Sequence, residues 1–132
     1  MDRIRYLNAL REQKNSPRFD HFLSMVQQAG NCPVRLTNNI IGGKWKPVIL
    51  NLIVHEANRF GEILHIVEGL SKKVLTTHLR ELEAAGIVER REYQQKPKKV
   101  EYILTEKGKT FIPVIEAMCK WGIDSKSITA AG

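Results

Sequence analysis

Between Ser71 and Lys99 the chain gathers hydroxyl and cationic side chains at spacings suited to a polyanionic duplex. Successive residues of a helix turn through roughly 100°. If Leu75, Leu79 and Leu82 mark the buried side of such a helix, Lys73, Thr76, Thr77 and Arg80 project from the opposite side, with Lys72 on the flank. Arginine can donate two hydrogen bonds to guanine, and threonine offers a hydroxyl to a base edge or a methyl to thymine. Ser71 and Lys72, at the start of the helix, suit phosphates. Lys96, Lys98 and Lys99 then cluster with no acid between Gln94 and Val100, and Arg90 and Arg91 extend the patch. Like charges held together favour a phosphate backbone as partner.

These side chains need elements to hold them. Ser71 is a good N-cap, the helix after it runs to about Ala85, and Gly86 suits a left-handed end. Before it, Arg59 to Val67 reads as a short helix with Phe60, Ile63, Leu64 and Val67 inward, and Glu68-Gly69-Leu70 makes the turn. Ile87 to Tyr93 and Val100 to Leu104 are β-rich runs flanking an irregular basic tip, a hairpin pattern. Helix, turn, helix and hairpin together present a helix for the major groove and a cationic loop beside it. Taken alone, the Lys/Thr/Arg face also suits an ordinary solvated helix; the preceding turn and the basic hairpin distinguish the two.

The remaining elements are helical. Pro17 starts an amphipathic stretch with Phe19, Phe22, Leu23 and Val26 on one face and Gly30 as its stop. Arg3 to Lys14 has helical character but no long apolar stripe. Cys32-Pro33 opens another element that Gly42-Gly43 breaks. Pro47 places the next helix start near Lys44–Lys46, and its apolar residues on nearly every side predict a central core helix. Thr105 caps a last helix, Glu106 to about Gly122, with Phe111, Ile112, Ile115, Met118 and Cys119 as its stripe. The expected fold is mainly α with a small β-hairpin wing. Residues 1–31 form an N-terminal helical extension, 32–122 a winged helix-turn-helix domain and 123–132 a flexible tail.

With 132 residues and 42% hydrophobic content the chain can bury a real core, and its net charge of +7 favours polyanionic partners. The N-terminus has no apolar run long enough for a signal peptide or a membrane span. Two cysteines do not make a disulfide framework, so a reducing cytoplasm is the expected compartment. Catalysis is not expected: His21, His55, His65 and His78 lack paired ligand spacing, no glycine-rich phosphate loop follows a strand, and Glu81 and Glu83 point to different sides of their helix. No metal or cofactor signature is present. The competing reading is a winged-helix module that docks protein rather than DNA.

The marks Cys32-Pro33-Val34, Ile41-Gly42-Gly43-Lys44-Trp45, Arg59-Phe60-Gly61-Glu62-Ile63, Leu75-Thr76, Leu79-Arg80-Glu81-Leu82-Glu83, Gly86-Ile87-Val88-Glu89-Arg90, Val100-Glu101-Tyr102, Leu104-Thr105 and Cys119-Lys120-Trp121-Gly122 occur in order. From Cys32 to Gly122 the chain resembles the HxlR-type winged helix-turn-helix transcriptional regulators, relatives of the MarR group. The resemblance implies a homodimeric bacterial regulator whose recognition helices enter successive major grooves of a near-palindromic operator. It implies wings on the flanking backbone or minor groove, and dimer contacts from the terminal helices. Thr77 and His78 stand where the family often has Gln and Arg, so a different preferred operator is expected. Several members sense electrophiles or oxidants through an N-terminal cysteine, a position Cys32 occupies, with Cys119 or a partner chain as a pairing option. The alternative for both cysteines is a small packed hydrophobe.

Overall fold

The structure, a computed structural model, describes residues 2–131, with side chains described to residue 126. The chain divides into two compact units, Met1–Ile40 and Ile41–Gly132.

The first unit is helical. α1 (Arg3–Lys14) starts where the Asp2 carboxylate accepts the Arg5 N–H at 2.9 Å and stops at Asn15, whose φ of 45° is left-handed. α2 (Pro17–Ala29) begins with Pro17 in its first turn, where the missing N–H costs nothing, and ends at Gly30 with φ 76°. α3 (Pro33–Ile41) follows. Arg11 and Asp20 join α1 to α2 across 3.1 Å, and the Phe19 and Phe22 rings lie 5.8 Å apart. Leu23 is the one buried side chain among this unit's described residues.

The second unit holds α4 (Lys46–Val54), α5 (Phe60–Ile66), α6 (Lys72–Ala84), β1 (Val88–Tyr93), β2 (Lys99–Leu104), α7 (Glu106–Lys109) and α8 (Ile112–Ala131). α4 packs on α8 and β2, and α5 on α6 and β2. Ile49, Leu50, Ile63, Leu75, Leu79, Leu82, Ile87 and Ile115 are buried to about 1% exposure or less, a continuous core in which each helix contributes one face. The strands pair antiparallel from Val88↔Leu104 to Tyr93↔Lys99, and the Lys96–Pro97 peptide at the tip is cis. The Tyr102 N–H donates to the Asn58 carbonyl at 2.9 Å, tying the hairpin to the loop before α5. Gly108 is buried against the hairpin base, where a Cβ would collide with the Ile87 carbonyl.

Several expectations are revised. The single helix expected from Glu106 is divided: the N–H groups of Thr110 and Phe111 turn back to the Lys107 and Gly108 carbonyls, and Pro113 has no N–H to carry the ladder across the break. Beyond it α8 runs through Gly122 to Ala131 instead of ending near Gly122. An interior glycine costs about 1 kcal/mol relative to alanine, too little to stop a helix by itself. Of the tail expected at 123–132, the described backbone is thus helical, and Gly132 lies outside the described residues. The central helix α4 is also less enclosed than its composition predicted, because Val48 remains 42% exposed.

Candidate nucleic-acid interface

α6 is set by its cap and its ridge. The Ser71 hydroxyl accepts the Val74 N–H at 3.1 Å, satisfying one orphan donor of the first turn. Leu75, Leu79 and Leu82 face the core, so Lys73, Thr77 and Arg80 are exposed on the far side, with Lys72 and Ser71 exposed at the N-terminus and Thr76 half-buried. Lys72, Lys73 and Arg80 have no ion-pair partner among the described residues. Thr76 and Thr77 donate their hydroxyl protons to the Lys72 and Lys73 carbonyls at 2.8 and 3.0 Å. Toward a ligand each hydroxyl therefore presents lone pairs and a methyl rather than a proton. His78 is half-buried, with its Nδ1 out of water and 3.9 Å from Glu81. Glu81 is ion-paired with Lys46, whose hydrogen bond holds its carboxyl below the usual range. Of the two residues expected to shift operator preference, Thr77 stands on the open face and His78 packs toward this pair.

The wing is arranged differently. Arg90 contacts Glu92 at 2.6 Å, Lys98 reaches the same carboxylate at 3.2 Å, and Lys99 pairs with Glu101 at 3.3 Å while lying 4.7 Å from the Tyr93 ring centre. Arg91 sits 3.6 Å from Glu89. The Arg90 hydrogen bond, followed by that from Lys98, lowers the Glu92 carboxyl from its ordinary value, and Glu92 in turn raises the Arg90 guanidinium. The basic tip expected to suffer unrelieved repulsion is therefore largely balanced by strand acids just outside the Gln94–Val100 window. Lys96 has no ion-pair partner among the described residues. Arg59, given no DNA-contacting role from sequence, lines a basin of about 510 Å³ with Glu62, Arg90, Lys98 and Lys99. Its signal was position: it directly precedes the first helix of the helix-turn-helix.

The cysteines are both free and half-buried. Cys32 stands at the start of α3, where its N–H donates to the Asn31 side chain at 2.7 Å and its carbonyl accepts the Leu36 N–H. Cys119 on α8 donates to Asn51 Oδ1 at 3.3 Å. α8 also carries exposed apolar side chains: Trp121 is 73% and Ile123 70% exposed, with Met118 and Val114 nearby along the helix. Among the described residues no helix is long and apolar enough to cross a membrane, and no cluster of three or more potential metal ligands occurs.

Residues 40–128 match the HxlR-like helix-turn-helix family. Relatives include the HTH-type transcriptional regulator YybR of Bacillus subtilis, 43% identical over 97 residues covering 74% of this chain and 78% of that protein. A regulator of the same type from Methanothermobacter thermautotrophicus is 44% identical over 91 residues, 69% of this chain and 70% of its own. Among solved structures, the redox regulator HypR in its reduced form superimposes with a TM-score of 0.68 at 41% identity, covering 76% of this chain and 99% of HypR. The reduced form of the transcriptional regulator YodB from B. subtilis gives 0.60 at 35% identity, covering 68% and 89%. α5, α6 and the β1–β2 hairpin thus have the architecture of a winged helix-turn-helix, and the chain belongs to the HxlR-like helix-turn-helix family of transcriptional regulators.

Proposed function

We propose that this regulator binds duplex DNA as a homodimer, with α6 in the major groove of each half of a near-palindromic operator and the wing on the flanking backbone. One observation carries the reading: the leucine ridge of α6 is buried while Lys73, Thr77 and Arg80 stand exposed, the two cations without an ion-pair partner among the described residues. In this reading Arg80 donates to a guanine edge, and Thr76 and Thr77 accept from a base or contact a thymine methyl. Lys73 reaches the groove edge, Ser71 and Lys72 hold phosphate, and Arg90, Lys96, Lys98 and Lys99 follow the flanking strand. Residues 1–31 and the exposed apolar side chains of α8 supply the dimer contacts, and 32–122 the reading module. The compartment is the cytoplasm, and the protein acts by occupancy of DNA rather than by catalysis.

The test is selection of bound sequences from a random duplex pool, followed by affinity measured against salt. A palindromic consensus with a steep negative slope of log K in log salt supports the reading. Retention of duplex that is weak and insensitive to salt would instead favour a module that docks protein.

HypR and YodB are described as a redox regulator and a transcriptional regulator studied in reduced and diamide-treated states. Cysteine-based sensing in this chain centres on Cys32, a free and half-buried thiol at the start of α3. If it operates, a quinone or hypochlorite releases the operator from the parent chain and leaves the Cys32→Ser complex intact. Equal release from both excludes Cys32 as the sensor.

A further inference from the structure

We propose that the N-terminal unit is an effector-binding site for an amphipathic organic anion, a carboxylate attached to an apolar ring or chain. The unit forms a half-open pocket of about 460 Å³ between α1, α2 and the start of α3. That volume lies within the roughly 300–1,000 Å³ typical of small-molecule sites. Its wall is mostly apolar: Leu7 from α1 and Phe22, Leu23 and Val26 from α2 line it beside the amides of Asn8, Gln27 and Asn31, and of the apolar four Leu23 alone is buried. The apolar side chains of this unit therefore surround a space rather than filling it. An isolated helical unit of this size has little core to spare, so an apolar guest adds the burial that the chain itself does not provide.

The charge at the cavity selects the other end of the guest. Arg3 and Arg35 both line it and both are exposed, so two cationic side chains border the apolar lining. No residue lining the cavity is acidic, and neither arginine has an ion-pair partner among the described residues. Two unpaired guanidiniums over an apolar chamber match a carboxylate, which can take two parallel N–H donors from one arginine, on an apolar body. A neutral apolar guest would leave the arginines without use, and a fully polar anion would leave the chamber wet. Every residue lining the cavity precedes residues 40–128, the span that matches the family model, and all but Cys32 and Arg35 belong to the 1–31 extension.

The experiment is calorimetric titration of the full chain with naphthoate, its uncharged amide naphthamide, and decanoate. Naphthoate or decanoate should bind saturably at one site per chain, and whichever binds tighter identifies ring or chain as the apolar body. Naphthamide should bind at least about tenfold more weakly, as should naphthoate to Arg3→Ala or Arg35→Ala, the size of one lost charge-assisted contact. Val26→Trp, which fills the chamber and keeps both arginines, should abolish saturable binding. Circular dichroism on each variant checks that the helices persist. Cys32 also lines the cavity, so naphthoate should slow its alkylation while leaving Cys119 unaffected. Equal affinity for the acid and the amide overturns the proposal, as does unchanged affinity in Arg35→Ala. So does the absence of saturable binding; a second copy of the chain occupying the cavity would then appear as Cys32 protection rising with protein concentration. Duplex binding by the Arg35→Ala variant is measured in parallel, so failure here is distinguishable from failure of the DNA-reading assignment.

Discussion

The recognition helix and the wing carry the same kinds of cation under opposite constraints. On α6, Lys72, Lys73 and Arg80 have no ion-pair partner among the described residues, while Glu81 of the same helix is paired with Lys46. On the hairpin, Arg90, Lys98 and Lys99 are matched by Glu92 and Glu101, which alternate with them along the strands. An unpaired cation meets a base edge with its full hydrogen-bonding capacity. A paired one must first leave a carboxylate, so its gain on reaching a phosphate is smaller. Within the proposed function, this difference gives discrimination to the helix and adjustable, sequence-blind affinity to the wing.

The harshest way to break the comparison is to remove the ridge that orients α6. Leu79→Ala should lower unfolding free energy by about 2–5 kcal/mol, measured by chemical denaturation, since the side chain is fully buried. A loss below about 1 kcal/mol would mean that the ridge is not core, a result outside the normal range for such truncations. Next in size, Arg80→Ala should cost about 1–3 kcal/mol on the selected operator and relax preference at one position. Equal losses on operator and random duplex would remove its base-reading role.

The wing should respond more gently. Lys96→Ala should weaken operator and random duplex alike and reduce the salt slope by about 1. Lys98→Ala should do less, because its partner Glu92 opposes the same phosphate; a larger effect than Lys96→Ala would reverse the assignment. Glu92→Gln should tighten binding to every duplex by a few-fold, roughly the value of one exposed ion pair. The smallest effect is one of pH. Because Arg90 and Lys98 depress the Glu92 carboxyl, the pairing is fully present above the ordinary glutamate range and is lost only as pH falls through the lowered value. NMR titration should show that carboxyl titrating lower in the parent chain than in Arg90→Ala; coincident curves would mean the pair does not persist in solution.

The buried face of α6 was legible because three leucines at helical spacing leave one orientation available, and the cap and stop residues bracket the same segment. The hairpin was legible from β-branched runs around a polar tip, and its strand bounds agree to within a residue. The charge state of the wing was not. Strand alternation brings Glu92 onto the side of Arg90, and pairing brings Lys98 back to it, a contact invisible to a window limited to the tip. The break between α7 and α8 was missed because Thr105 and Glu106 announce a helix start without saying how long it runs, and Pro113 fits a first turn as well as an interior. Arg59 joined the basin only through folding, since it stands roughly thirty to forty residues before Arg90, Lys98 and Lys99 in sequence.

Local order decided what kind of protein this is. Periodicity, caps and breakers act over one or two turns, so the helix-turn-helix, the hairpin and the outward Lys/Thr/Arg face follow from neighbours along the chain. Which charges are free to act was decided by packing, because an ion pair or a half-open pocket depends on residues from different elements meeting in space. The open cations of α6, the balanced wing and the arginine-rimmed chamber of the N-terminal helices all belong to that second class.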